Sequence, residues 1–265
     1  MYNKRKKEIL EMKKYITLIM NLLACFFTAR AQQNTQETEV PTITVKTVIP
    51  FEQTDEAEWV KRYQRDIDYY QKQNKRMKDL SCDVLFLGSS TINMWDTIEQ
   101  DFAPLKIIRR SYGGATLRDM LYNYPVIAQG YQPKQIVLYV ENDLGTHKEG
   151  VNAVKCFDLF RIFIARLKEE YPTATLWVVS LKPSPAKAHE LKEQQLVNAL
   201  LQQNAPLQGY TYLDITHVMY DEAGTLHTNI YKEDNLHMNA EGYKLWTSVL
   251  RPYLLKEKVK ESLPR

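Results

Sequence analysis

Ser90 stands where an apolar run stops, as Val84-Leu85-Phe86-Leu87 passes into Gly88-Ser89-Ser90-Thr91. A serine hydroxyl is a weak nucleophile and needs a base within hydrogen-bond reach. Of the five histidines, His237 alone has a carboxylate at a useful spacing, with Asp234 one helical turn earlier in sequence. Asp234 can accept the Nδ1–H of His237, which fixes the tautomer and stabilises an imidazolium. The chemistry this set suits is acyl transfer, whose tetrahedral intermediate carries an oxyanion that needs several donors. Gly114 offers an uncrowded N–H, Asn142 a side-chain amide, and Ser90 its own N–H.

Each of these residues also has a purely structural reading. A serine after a strand is often a cap, and Gly113-Gly114 suits a turn with positive φ. Asn142-Asp143 suits a loop cap and Asp234 a turn. What sets the functional reading apart is order, because all four clusters fall at successive strand or loop ends.

The elements that must position them follow from pattern. A helix is expected over 56–77, with Trp59, Val60, Tyr63, Ile67 and Tyr70 on one stripe. Apolar runs predict strands at 83–88, 106–110, 135–140, 174–181 and 210–215. Helices are expected between them: one through Leu117, Met120 and Leu121, one over 151–170, and one over 187–203. The second has Val154, Phe157, Phe160, Ile164 and Leu167 as its core stripe. Lys182-Pro183-Ser184-Pro185 reads as a rigid turn, and Asn239 as the N-cap of a last helix with Tyr243, Leu245, Trp246, Val249 and Leu250. Strands that alternate with helices in this way predict one α/β domain around a five-stranded parallel sheet. Right-handed crossovers bring the strand ends carrying Ser90, Gly113-Gly114 and Asn142 to one edge. The loop of Asp234 and His237 can reach the same crevice.

The Gly-x-Ser block, the Gly block, the Asn-Asp block and the Asp-x-x-His block together resemble the SGNH (GDSL-type) hydrolases over about 82–255. The most specific stretch is Asp-Asn-Leu-His-Met-Asn-Ala-Glu-Gly-Tyr at 234–243. Leu87-Gly88-Ser89-Ser90-Thr91-Ile92-Asn93-Met94-Trp95 and Arg110-Ser111-Tyr112-Gly113-Gly114 are similar to the branch of platelet-activating-factor acetylhydrolase and bacterial carbohydrate acetylesterases. The resemblance implies a flavodoxin-like three-layer α/β/α sandwich without metal or organic cofactor. It also implies Ser90 as nucleophile, Asp234 and His237 as its partners, and Ser90, Gly114 and Asn142 as oxyanion hole. Three positions depart from the family pattern: Ser89 for Asp, Ser111 for Gly, and Val140 for the Gly of the third block. Ile92 rules out the G-x-S-x-G elbow of α/β-hydrolases.

Residues 1–31 hold seven Lys/Arg and two Glu, then an apolar run of 15–27 and Ala29-Arg30-Ala31. A basic region, a short apolar core and an A-x-A site read as a secretory signal peptide. The run falls short of the roughly 20 residues of a membrane span. Leu22-Leu23-Ala24-Cys25 loosely matches a lipoprotein box, a rival to cleavage after Ala31. Residues 32–54 read as a polar linker and 55–265 as the domain. Without the leader the net charge falls from +3 to about −2, which gives nucleic acid no case as a partner. Cys82 and Cys156 can pair in an exported chain or stay apart as buried thiols, and no Cys/His spacing of metal-site type occurs. The expected substrate is a small-molecule or glycan ester; Trp95, Tyr112 and Tyr131 can serve as a sugar-stacking rim, though aromatics near a crevice are more often packing. A long-chain lysophospholipase or thioesterase, and a glycan-binding protein without catalysis, are the rival functions.

Overall fold

The strands are apolar on both sides, so helices must cover both faces of the sheet. The computed structural model describes residues 61–144 and 151–256. The leader, the linker, Cys25, Trp59 and Val60 lie outside the described residues. In chain order the strands are β1 (Ser81–Gly88), β2 (Ile107–Ser111), β3 (Gln132–Tyr139), β4 (Thr175–Val179) and β5 (Thr211–Leu213). They form one sheet in the order β2-β1-β3-β4-β5, with each neighbouring pair parallel.

The helices are α1 (Gln64–Arg76), α2 (Ser90–Asn93), α3 (Ile98–Asp101), α4 (Leu117–Tyr122), α5 (Tyr124–Ile127), α6 (Ala153–Glu170), α7 (Leu191–Gln208) and α8 (Ala240–Leu254). Strand alternation sorts the core into two clusters. Leu85, Leu87, Ile136, Leu138, Leu176 and Val178 pack beneath α1 and α4 to α7. Val84, Phe86, Val137, Tyr139, Val179 and Leu213 pack against α2, α3 and α8 on the other face. The result is the expected three-layer α/β/α sandwich. Each such side chain, fully buried, contributes about 1.5–3 kcal/mol relative to exposure.

Boundaries differ where local chemistry intervenes. β3 starts three residues before the expected position, with Pro133 paired opposite Cys82. A proline is tolerated there because it lies in the first residues of the strand. The predicted helix after β2 breaks at Asn123, and Pro125 opens the short α5. Val154 was expected in the core and is exposed. Asn152 caps α6 through the Lys155 N–H, so the buried stripe runs Ala153, Cys156, Phe157, Phe160, Phe163, Ile164 and Leu167. Val154 sits one position off that stripe. The helix expected over 187–203 is a 3₁₀ turn over Pro185–Glu190 followed by α7, which Gly209 closes at φ 68°. Cys82 and Cys156 are separate buried thiols.

Trp95, Tyr112 and Tyr131 form no sugar-stacking rim, because all three are buried. Trp95 stacks on Tyr243 with ring centroids 5.0 Å apart and donates its Nε1–H to Asp101 at 2.6 Å. Tyr112 packs on Tyr63, and the Tyr131 hydroxyl accepts from Arg110 Nε at 2.7 Å.

The sheet is tightly packed at the end of β1. A Cβ on Gly88 would lie 2.5 Å from the Tyr139 carbonyl oxygen and 2.6 Å from Ile92 Cγ1. Gly88→Ala is therefore expected to destabilise the fold by about 2 kcal/mol or more. Urea unfolding measures this, and a variant of unchanged stability would show that β1 and β3 can separate.

Candidate active site

β1 lies between β2 and β3, so the chain leaves it in opposite directions and opens a crevice at the carboxyl ends of β1 and β3. Ser89 is extended at φ −97° and Ser90 starts α2 at the mouth of that crevice. α2 is a single turn, so it offers free N–H groups with little macrodipole. Ser90 is mostly buried, and its Oγ lies 3.0 Å from His237 Nε2.

His237 comes from the loop before α8. Its Nδ1 lies 2.6 Å from Asp234 Oδ2, while Asp234 Oδ1 accepts the N–H groups of His237 at 2.9 Å and Leu236 at 3.0 Å. Asn235 takes φ 55° between them. The Asp-x-x-His spacing thus belongs to a carboxylate-capped turn rather than to a turn of helix. The hydrogen bond from His237 holds the Asp234 carboxyl well below the usual carboxylate range. An ionised carboxylate only accepts, so Nδ1 carries the ring proton and Nε2 is left to accept from the Ser90 hydroxyl. Outside the turn, the Lys232 N–H donates to His237 O at 2.7 Å. The Asn239 side-chain amide holds the carbonyls of Asn229 and Tyr231, and its Oδ1 caps α8. The residue that starts the helix also anchors the histidine loop.

The loop from β2 to α4 carries Gly114 at φ +73°, a conformation that favours glycine. Side-chain hydrogen bonds hold this loop at several points. Tyr63 OH donates to Gly114 O at 2.6 Å, and Tyr70 OH donates to Ser111 O at 2.5 Å. Asn142 Nδ2 donates to Ala115 O at 3.0 Å. Thr116 and Asp119 form a reciprocal capping box at the start of α4. Asp143 accepts the Leu117 N–H at 2.9 and 3.1 Å. Asn142 therefore orients its amide through one hydrogen, and an NH₂ group has a second to offer. Val140 is fully buried in the apolar cluster that also holds Tyr112, Ala115 and Leu117.

Ser90, His237 and Asp234 are thus brought together as the spacing suggested, with Gly114 and Asn142 on the adjoining loops. Tyr63 and Tyr70 were legible only as stripe residues of a helix. Nothing in their spacing marks their hydroxyls as props of the glycine loop. Glu141 and Lys182 were also missed, since a fully buried ion pair between residues 41 apart leaves no local pattern.

No protein-family model matches the chain, and no curated protein matches it. Solved structures do. A Streptococcus pneumonia protein provisionally described as a platelet activating factor superposes with TM-score 0.64 at 21% identity, covering 74% of this chain and 94% of its own. A GDSL-like lipase from Bacteroides thetaiotaomicron gives 0.58 at 19% identity, covering 72% and 97%. An acetyl xylan esterase from Geobacillus stearothermophilus gives 0.52 at 14% identity, covering 69% and 96%. The chain has the fold of the GDSL-type hydrolases.

Within this fold the glycine loop is buttressed from α4, from Asn142-Asp143 and from the two tyrosines. Burial pushes the Tyr63 hydroxyl up to about 12, so it remains a donor across the working pH range. Tyr63→Phe would leave Gly114 O without that donor and is expected to cost about 1 kcal/mol. That corresponds to about 3 °C in Tm, measurable by thermal denaturation.

Asp143 behaves differently. Burial outweighs the bond from the Leu117 N–H and pushes its carboxyl up to about 7 from an ordinary 3.8. Between those values the folded chain keeps a proton that the unfolded chain has released, so stability falls as pH rises through that window. Asp143→Asn cannot ionise. From about pH 4 to about pH 7 the wild type should lose stability relative to this variant; a constant difference would show that Asp143 is ionised throughout.

Proposed function

We propose that the protein is an exported serine esterase that removes short acyl groups, most simply acetyl, from hydroxyls of carbohydrates or similar alcohols. The observation that carries this reading is the unbroken chain from Ser90 Oγ to His237 Nε2 at 3.0 Å and from Nδ1 to Asp234 at 2.6 Å. That chain meets the geometric demand of an activated nucleophile whose base is oriented by a third group.

In the first half-reaction Ser90 Oγ attacks the ester carbonyl as its proton passes to His237 Nε2. Asp234 stabilises the imidazolium. The N–H groups of Ser90 and Gly114 and the Asn142 amide face the developing oxyanion, where losing one donor costs about 10²–10³ in kcat. The tetrahedral intermediate collapses as His237 returns the proton to the leaving alcohol, leaving an acyl-serine. Water then attacks the acyl carbon, His237 takes the water proton, and the second collapse restores Ser90 and releases a carboxylic acid.

The short-acyl, carbohydrate reading draws on two supports. Lys232, Glu233, Asp234 and Asn235 are exposed beside His237, which gives the crevice a polar wall suited to a hydroxyl-rich alcohol. One of the proteins of like fold is an acetyl xylan esterase. Export follows from the signal-peptide pattern of residues 1–31.

The test is hydrolysis of p-nitrophenyl acetate, butyrate and decanoate by the chain from Gln32, with Ser90→Ala alongside. Acetate should be cleaved fastest, and Ser90→Ala should lower kcat by about 10⁴-fold or more. Preference for decanoate would point to a lysophospholipase or thioesterase. Turnover unchanged in Ser90→Ala, or none in the wild type, would overturn the assignment and favour glycan binding without catalysis.

A further inference from the structure

Directly behind the crevice lies a fully buried ion pair that the mechanism above does not use. Lys182, in the loop after β4, has a fully buried side chain, and Glu141, at the end of β3, is buried almost as deeply. Lys182 Nζ lies 3.1 Å from both carboxylate oxygens of Glu141. Tyr139 OH donates to the same carboxylate at 2.5 Å, and Thr91 Oγ1 reaches it at 3.5 Å. One carboxylate thus joins groups from the ends of β1, β3 and β4.

The sequence neighbours of these groups are the residues of the crevice. Thr91 follows Ser90, and Glu141 precedes Asn142. Lys182 precedes Pro183, whose carbonyl accepts from Tyr231 OH at 2.7 Å, and Tyr231 belongs to the loop that carries His237. The Ala186 N–H, from the same segment, donates to Asn235 O at 3.1 Å, inside the Asp234–His237 turn. Outside the pair, Lys187 Nζ approaches Glu141 O at 3.4 Å.

Stability alone is a poor reason to keep such a pair. Burying two charges carries a desolvation penalty that their attraction only partly recovers, and well-packed apolar residues of similar volume often do as well or better. Positioning is a better reason. Oxyanion donors and nucleophile must hold their places closely, and a displacement of about 1 Å can cost about 10²-fold in rate. A buried carboxylate with several short, directional bonds locks three strand ends in one register, whereas apolar contacts are non-directional.

We propose that Glu141 and Lys182 are positioning residues. Their ion pair locks the backbone of Ser90 and Asn142 to the loop that braces His237, and so sets the distance between nucleophile, base and oxyanion donors. The inference rests on the esterase reading of Ser90.

The test compares kcat and KM for p-nitrophenyl acetate, together with Tm, in the wild type, Glu141→Gln/Lys182→Met, Glu141→Asp and Ser90→Ala. The double variant removes both charges at similar volume. It should fold with Tm near the wild-type value and KM within about twofold, while kcat falls about 10- to 100-fold. Glu141→Asp keeps both charges but withdraws the carboxylate by one methylene, and should lower kcat by about tenfold at unchanged KM. It decides the matter if the double variant does not fold. Full kcat in a folded double variant, or in Glu141→Asp, would make the pair merely structural and overturn this inference alone. A wild type without Ser90-dependent turnover would overturn the esterase reading and this inference with it.

Discussion

The ends of β1 and β3 approach so closely at Gly88 that a single added methyl group would meet the Tyr139 carbonyl oxygen at 2.5 Å. Everything chemical in the molecule depends on that approach. It sets the Ser90 turn beside the Asn142 turn at the point where the sheet reverses its winding, the natural crevice of an open parallel sheet. A larger residue at 88 would press on the Tyr139 carbonyl and on Ile92 and so push these turns apart. The glycine in front of the serine is therefore there for packing between strands rather than for a positive φ.

Around that point the loops hold one another more than they hold to the sheet. Tyr63, just before α1, and Tyr70, within it, reach the carbonyls of Gly114 and Ser111, Asn142 holds Ala115, and Asp143 caps the start of α4. The histidine loop is closed on itself by Asp234 and tied by Asn239 to the helix that follows. These bonds explain how short loops, without long elements of their own, hold Ser90 and His237, 147 residues apart, at 3.0 Å.

Much of this was legible in the sequence because its causes are local. Runs such as Val84–Leu87 and Ile136–Val140 read as strands since both their faces are buried. Asn239 reads as a cap, and the Asp234–His237 spacing as a pair, since each acts within one turn. What could not be read depends on long-range packing. Val154 is apolar and falls close to the helical period, yet one position of rotation set by the Asn152 cap puts it in water. Trp95, Tyr112 and Tyr131 have the composition of a sugar-binding rim, but the core took them for their bulk. Lys182 reads only as part of a rigid turn because nothing near it in sequence announces Glu141.

That last misreading shows how the molecule divides its interior. The two apolar clusters on either face of the sheet are held mainly by non-directional burial and close packing. Between them, at the carboxyl edge, the chain places Glu141, Lys182, Tyr139 and Thr91, groups whose burial is costly unless each is bonded. Such groups tolerate only a narrow set of geometries, and apolar neighbours would tolerate many. A fold that needs three strand ends in fixed register at this edge has reason to accept charged burial there. The chain buries polar groups elsewhere too, such as Arg110 and Gln135, and those are likewise bonded.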